Sequence, residues 1–319
     1  MLTKFPRLPE TWLGSADSYL RVAEAVRHAM LHPDNLKSLM YSDDAASEEE
    51  KDTRSPEERY LDAASNALIQ IKGRVGMVNI NGPLVTENSW WNELFGLVSY
   101  DSVSLALQKV MLEEPQVEYA LMVLDTGGGD ASGVENISNN IKELQSASDV
   151  SLLTHVQGAA LSAGYWIGAH GSPIYGNRMA QAGSIGVILT HRSHAEALKQ
   201  RGVKDTVITS GSEKSLGHPS LPLSDKDKKL LQKQSDTLYE FFTDHVAAER
   251  HLSTSELKTW ADGKTFFMEE SVEVGLADFV MPLQELLADL NDGFEEEETL
   301  TPGGAESLDS VRRGEPVAA

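Results

Sequence analysis

A few residues in this chain could do covalent chemistry without a cofactor. The stretch "GAALSAGYWI" (158–167) sets one hydroxyl, Ser162, among small apolar residues, straight after the strand-like run "VSLLTHV" (150–156). A serine between a strand end and a helix start has its hydroxyl near unpaired N–H groups, which favour negative charge. That is nucleophile-elbow geometry, although Ala160 stands where a G-x-S-x-G turn has glycine. The same residues fit a plain helix N-cap in a tightly packed crossover.

"LDTGGGDASG" (124–133) closes an apolar run with three glycines. Their N–H groups can face a ligand with no Cβ in the way, so a phosphate cradle, an oxyanion hole and a plain tight turn all fit. No Gly-Lys-Ser/Thr follows, and the dinucleotide spacing G-x-G-x-x-G fails, so neither nucleotide pattern is met. "ITSGSEKSLGHP" (208–219) holds Lys214. It reads either as a surface lysine or as a desolvated one able to take a proton from a serine. His191 and His194, in "THRSHAEAL", offer the competing route of a Ser–His–Asp triad. With Glu196 and further ligands they could begin a metal site, and as helix-start histidines they need no function at all.

Composition narrows the classes. The chain has 319 residues, 27 Lys and Arg against 49 Asp and Glu, and a net charge of −22. Such a surface repels phosphate backbones and anionic membranes, so neither nucleic acid nor membrane is an expected partner. The absence of cysteine removes disulfides, thiolate nucleophiles and zinc–cysteine sites together. There is no run of about 18 apolar residues and no signal-peptide core at the N-terminus. The expectation is a soluble, cytoplasmic protein, and the 40% hydrophobic content is enough for a proper core.

The elements that must hold these residues follow the chain. Residues 15–40 show a helical pattern, and "YSDDAASEEEKDTRSPEER" (41–59) reads as a solvated acidic linker. "GRVGMVNINGPLV" (73–85) reads as a strand ending in an Asn-Gly-Pro turn, and "VEYALMVLD" (117–125) as a buried parallel strand. A helix over 134–147, the strand at 150–156 and the helix bearing Ser162 complete a strand–helix alternation that predicts an α/β domain. Short strands over 172–190, another strand at 203–211 and a long amphipathic helix over 224–250 follow. From about residue 284 the pattern is lost, and the acidic end reads as disordered.

Together these stretches resemble the signal peptide peptidase A family of serine peptidases. "LDTGGGDASG" is similar to that family's strand-end D-S-P-G-G loop, with Thr126 for serine and Gly127 for proline. "GAALSAGYWIG" resembles the nucleophile segment, "AQAGSIGVI" (180–188) the Gly-Ser-Ile-Gly-Val stretch with Ser184, and "ITSGSEKSLGHP" the general-base loop. "WADGKTFFMEESVEVGLADFV" (260–280) resembles the closing segment. The resemblance implies the ClpP/crotonase superfold of βα units, a helical leader and linker over 1–72, a peptidase domain over 73–283 and an acidic tail over 284–319. It implies Ser162 as nucleophile, Lys214 as base, Ser184 as its partner, and an oxyanion hole from Gly129 or Gly128 with Ala163. No cofactor or metal is implied. The layout further resembles soluble head-maturation proteases of tailed phages, which implies self-cleavage, a homo-oligomer, and scaffold, portal or capsid proteins as substrates. A soluble cellular peptidase and an inactive assembly protein are the alternative readings.

Overall fold

The structure, a computed structural model, describes residues 11–14, 54–86, 88–89, 92 and 95–292. In chain order the elements are β1 (Thr11–Gly14), α1 (Pro56–Leu68), β2 (Ile69–Lys72), β3 (Val75–Asn81), β4 (Leu84–Val85), β5 (Val98–Ser99), α2 (Tyr100–Gln108), β6 (Tyr119–Thr126) and β7 (Gly128–Asp130). Then come α3 (Val134–Ala147), β8 (Ser151–Leu161), α4 (Ala163–Gly168), β9 (Ile174–Gly176), β10 (Gln181–Gly183), β11 (Ile188–Leu189), α5 (Ala195–Gln200) and α6 (Asp225–Glu249). The remainder is α7 (Thr254–Leu257), β12 (Thr265–Phe267), α8 (Met268–Glu273), β13 (Phe279–Val280) and α9 (Leu283–Asp292).

The main sheet runs β12-β10-β8-β6-β3-β2, with β9 paired to β8 and β13 to β9. Its centre, β3, β6, β8 and β10, is parallel, with α2 and α3 in the crossovers, so the expected α/β domain of βα units is the architecture seen. Alternate residues of the central strands serve two cores. Val78, Ile80, Met122, Leu124, Leu152 and Val156 belong to the larger one, whereas Val75, Met77, Leu121, Val123 and Leu153 belong to the smaller. Both faces are covered, which is why the run at 117–125 is apolar without alternation. A second, smaller sheet, β11-β1-β7-β4-β5, stands at the carboxyl ends of the main strands.

The structure departs from the sequence reading at four places. Residues 15–53, including the expected leader helix, lie outside the described residues, but the end of the expected linker is helical from Pro56, with Glu57, Glu58 and Arg59 still exposed. Ser55 caps α1 through a capping box with Glu58, and Lys109 holds α1 through Asp62, Ser65 and Asn66. The expected boundary at residue 73 falls inside the β2–β3 hairpin. The expected strand at 203–211 is absent: no edge pairs with it, and Ile208 is 90% exposed. At the other end, residues 284–292 are helical. Leu286, Leu287 and Leu290 of α9 close the smaller core, each burial contributing about 1.5–3 kcal/mol. Arg74 locks the helix there, its amide donating to Asn291 Oδ1 and its guanidinium to the Leu290 carbonyl.

Candidate functional site

The small residues around Ser162 answer a packing demand first. A Cβ at Gly164 would run into Thr126 Cγ2, one at Gly158 into the Asp125 carboxylate and one at Gly168 into Leu124 Cδ1. Glycine at these points lets β8 and α4 lie directly on the end of β6. The closeness has a chemical result. Ser162, at the junction, has φ 53° and ψ −120°, a region costing on the order of 1–3 kcal/mol for a residue with a Cβ. Its amide donates to the Gly183 carbonyl at 2.8 Å, fixing the turn to β10. Its hydroxyl does not cap α4 and has no hydrogen-bond partner among the described residues. Ser162 is thus a strained, 1% exposed serine with a free Oγ at the start of a helix, not an ordinary N-cap.

Ser184 lies in the matching place on the next strand. β8 and β10 run parallel with Leu161 registered against Gly183, so Ser162 and Ser184 each follow the last residue of that pair. Ser184 also has φ 53°, and its amide donates to the Lys264 carbonyl at 2.6 Å.

The glycine loop approaches from the other side. A register shift between Leu124 and Thr126 turns β6 out of the main sheet, and β7 then packs against α4. Gly128 takes φ 97°, which glycine alone adopts freely, and its amide donates to Thr126 Oγ1 at 3.1 Å. Thr126, read in the sequence only as the residue standing for the loop's serine, engages one of the two glycine amides proposed for the oxyanion hole. Gly129 passes so near the Leu84 carbonyl that no Cβ would fit. Asp130 pins the loop, with its carbonyl accepting from Tyr100 Oη at 2.7 Å and its carboxylate from Thr86 and Ser132.

Lys214 is not among the residues brought together. It stands exposed in turns between Ser210 and Gly217, its amide donating to the Gly211 carbonyl, and its ammonium has no partner among the described residues. His191 and His194 occupy the same irregular region, and His191 Nε2 is without a hydrogen-bond partner, so no triad with Ser162 is formed. Nor do the two histidines converge with Glu196.

The histidines that do converge were missed by sequence reasoning. His170, His245 and Glu249 bring their donor atoms within 4.8 Å of one another. Lys142 Nζ lies 3.0 Å from Glu249, His170 Nε2 meets Ser138 Oγ, and His245 Nε2 donates to the Trp166 carbonyl. Burial, then the neighbouring His170, hold His245 down at about 4. Burial works against ionised Glu249, but the contacts from His170, Lys142 and His245 outweigh it and keep the carboxyl at about 2. The spacing His245–Glu249, one helical turn on α6, was the available signal. Near the chain's end Asp278 has a structural place, accepting from Arg250 at 2.7 Å and from the Ile174 amide at 2.7 Å.

Comparisons with known proteins fit this arrangement. The family model Peptidase family S49 matches residues 145–295, which include Ser162, Ser184 and Lys214. Capsid assembly protease C of Escherichia phage lambda is 26% identical over 235 residues, covering 74% of this chain and 53% of that protein. The head-tail preconnector protein of Enterobacteria phage P21 is 28% identical over 211 residues, covering 66% and 41%. A Synechocystis protein with a provisional protease name is 30% identical over 188 residues, covering 58% of this chain and 67% of its own. The chain thus spans about half the length of the phage lambda relative. Among solved structures, a ClpP1 variant from Listeria monocytogenes aligns with TM-score 0.41 and 11% identity, over 66% of this chain and 94% of that one. No helix among the described residues is long and apolar enough to cross a membrane. On the family-model match, the sequence relatives and the ordered motifs, the chain belongs to peptidase family S49.

Proposed function

We propose that the protein is a serine endopeptidase in which Ser162 attacks a peptide carbonyl and Lys214 serves as general base. The observation that supports this most is the free Ser162 hydroxyl on a strained turn, registered beside Ser184. Neutral Lys214 takes the hydroxyl proton as the tetrahedral intermediate forms, with Ser184 orienting the amine. The lysine then passes the proton to the departing amine, leaving an acyl-enzyme that water hydrolyses with the same base. Ala163, with Gly129 or Gly128, supplies the oxyanion donors, although Thr126 engages the Gly128 amide and Gly129 is registered between Leu13 and Leu84. No metal or cofactor enters any step.

An exposed ammonium is a poor base, because only the neutral amine accepts a proton. Lys214 must therefore be covered before it acts, by closure of residues 201–222 onto α4 or by packing of another copy in a homo-oligomer. The proposed peptidase unit is the span 73–283 with α1, β2 and α9 packed upon it.

The substrates we propose are scaffold, portal or capsid proteins of an assembling phage head, together with the protein's own tail. Support comes from the two phage relatives, one named for capsid assembly and one as a head-tail preconnector. The Synechocystis relative, named only as a protease, favours a second reading, a cellular peptidase of unspecified substrate. The test is to label the full chain with a fluorophosphonate and locate the adduct by mass spectrometry, then to co-express it with candidate capsid components and map their termini. An adduct on Ser162 with serine-dependent trimming is expected. Absence of both, in a folded protein, would leave an inactive assembly protein.

A further inference from the structure

The five-stranded sheet contains a strand from far outside the peptidase unit. β1, residues 11–14, pairs antiparallel on one side with β7, Trp12 against Asp130, Leu13 against Gly129 and Gly14 against Gly128. On its other side it pairs antiparallel with β11, Thr11 against Leu189 and Trp12 against Ile188. Among the described residues β11 has no other strand neighbour, so β1 alone joins it to the rest of the sheet. Without β1, two strand edges would face each other across a slot.

Neighbouring strands lie 4.7–4.9 Å apart, so the slot is about 9–10 Å wide, the width of one extended backbone. Each edge offers main-chain donors and acceptors to whatever enters, which recognises extended polypeptide with little demand on sequence. One wall is the glycine loop, the other begins four residues after Ser184, and β1 itself lies against α4, the helix that starts after Ser162.

We propose that residues 11–14 of the same chain occupy this slot as a resident segment that competes with extended polypeptide. The inference rests on the peptidase reading for its consequence, not for its geometry. A tethered segment competes at an effective concentration on the order of millimolar for short flexible linkers, so a free substrate meets a partly closed site. Occupancy raises KM and leaves kcat unchanged, because a substrate that has displaced β1 meets the same Ser162.

The experiment uses the full chain and Trp12→Pro, since Trp12 is the one residue registered against both edges, with Trp12→Ala as a control that keeps the backbone N–H. Proline removes that N–H and cannot serve a strand paired on both sides. Cleavage of quenched-fluorescent casein is measured together with amide hydrogen exchange. The expected result is a KM lowered at least about tenfold at unchanged kcat in Trp12→Pro. Faster exchange is expected over 128–130 and 188–189 in that variant, and not in Trp12→Ala. Ser162-dependent turnover with KM and exchange unchanged would overturn the inference and leave the peptidase reading standing. If no chain shows Ser162-dependent turnover, the peptidase reading fails. Exchange then decides occupancy alone, and unchanged exchange overturns it. Protection that rises with protein concentration would mean that a second copy fills the slot, which also overturns the intramolecular assignment.

Discussion

The Ser162 junction and the Lys214 segment are built in opposite ways. Ser162 ends an eleven-residue strand, starts a buried helix and is held by a 2.8 Å bond from its own amide to Gly183. Lys214 lies in exposed turns, near an Ile208 that is 90% exposed and in no strand. A strained backbone persists only where its surroundings over-determine it, so the place of Ser162 must be set by the fold around it. A lysine needs desolvation to act, and nothing in its own segment supplies it. The fold thus holds the proposed nucleophile in place and leaves the proposed base uncovered.

Removal of the nucleophile should have the largest effect. Ser162→Ala is expected to lower kcat by about 10⁶, with an unchanged thermal midpoint. Full activity in that variant would end the contrast, since the rigid junction would then be packing alone. Lys214→Ala should cost about 10²–10⁴ in kcat. Lys214→Arg should not rescue it, because a guanidinium does not deprotonate. The double variant His191→Ala/His194→Ala should stay near wild type. Wild-type activity should also rise with pH, and a lysine variant that stays active while the histidine variant dies would transfer the base to the triad route.

Two smaller effects sharpen the rigid side. Gly164→Val drives side-chain atoms into Thr126 and should destabilise the fold by about 1–3 kcal/mol, read by denaturant unfolding. It should also depress turnover, because α4 must back away from β6. The smallest expected effect is acid sensitivity. His245 is held at about 4 when folded, below its usual 6.5, so the unfolded chain binds the extra proton first. Stability should then fall as pH drops from about 6.5 towards 4, by on the order of 3 kcal/mol. Glu249, held at about 2, adds a loss as pH falls from 4.5 towards that value. His245→Gln should remove the first of these losses, and an unchanged acid profile in that variant would show that the cluster does not titrate as described.

Much of the rigid side was legible in the residues. The apolar run at 117–125 announced a strand buried on both faces, and Val134 to Ala147 emerged as the expected helix. The close spacing of Gly158, Gly164 and Gly168 announced tight packing, though not which atoms they would meet. Legibility failed where structure depends on long-range partners. Val203 to Gly211 has strand-forming residues but no edge to pair with, so propensity alone misled. Leu283, Leu286, Leu287 and Leu290 carry a helical stripe that the acidic residues around it obscured. Thr126 was unreadable as a hydrogen-bond partner because its bond to Gly128 exists only in the folded loop.

The stacking on Trp166 has an optical consequence. Its indole lies 4.7 Å from the His245 ring at 13° and 4.9 Å from Phe242, and its Nε1 donates to Ser138 Oγ inside the fold. An indole in such surroundings emits at the blue end of its range, and a protonated imidazole stacked on it quenches that emission. Trp166 begins only four residues after Ser162, on the same short helix. Among the chain's five tryptophans, Trp166 therefore contributes an emission that reports on the packing behind Ser162, without a label and in the same cuvette as an activity assay.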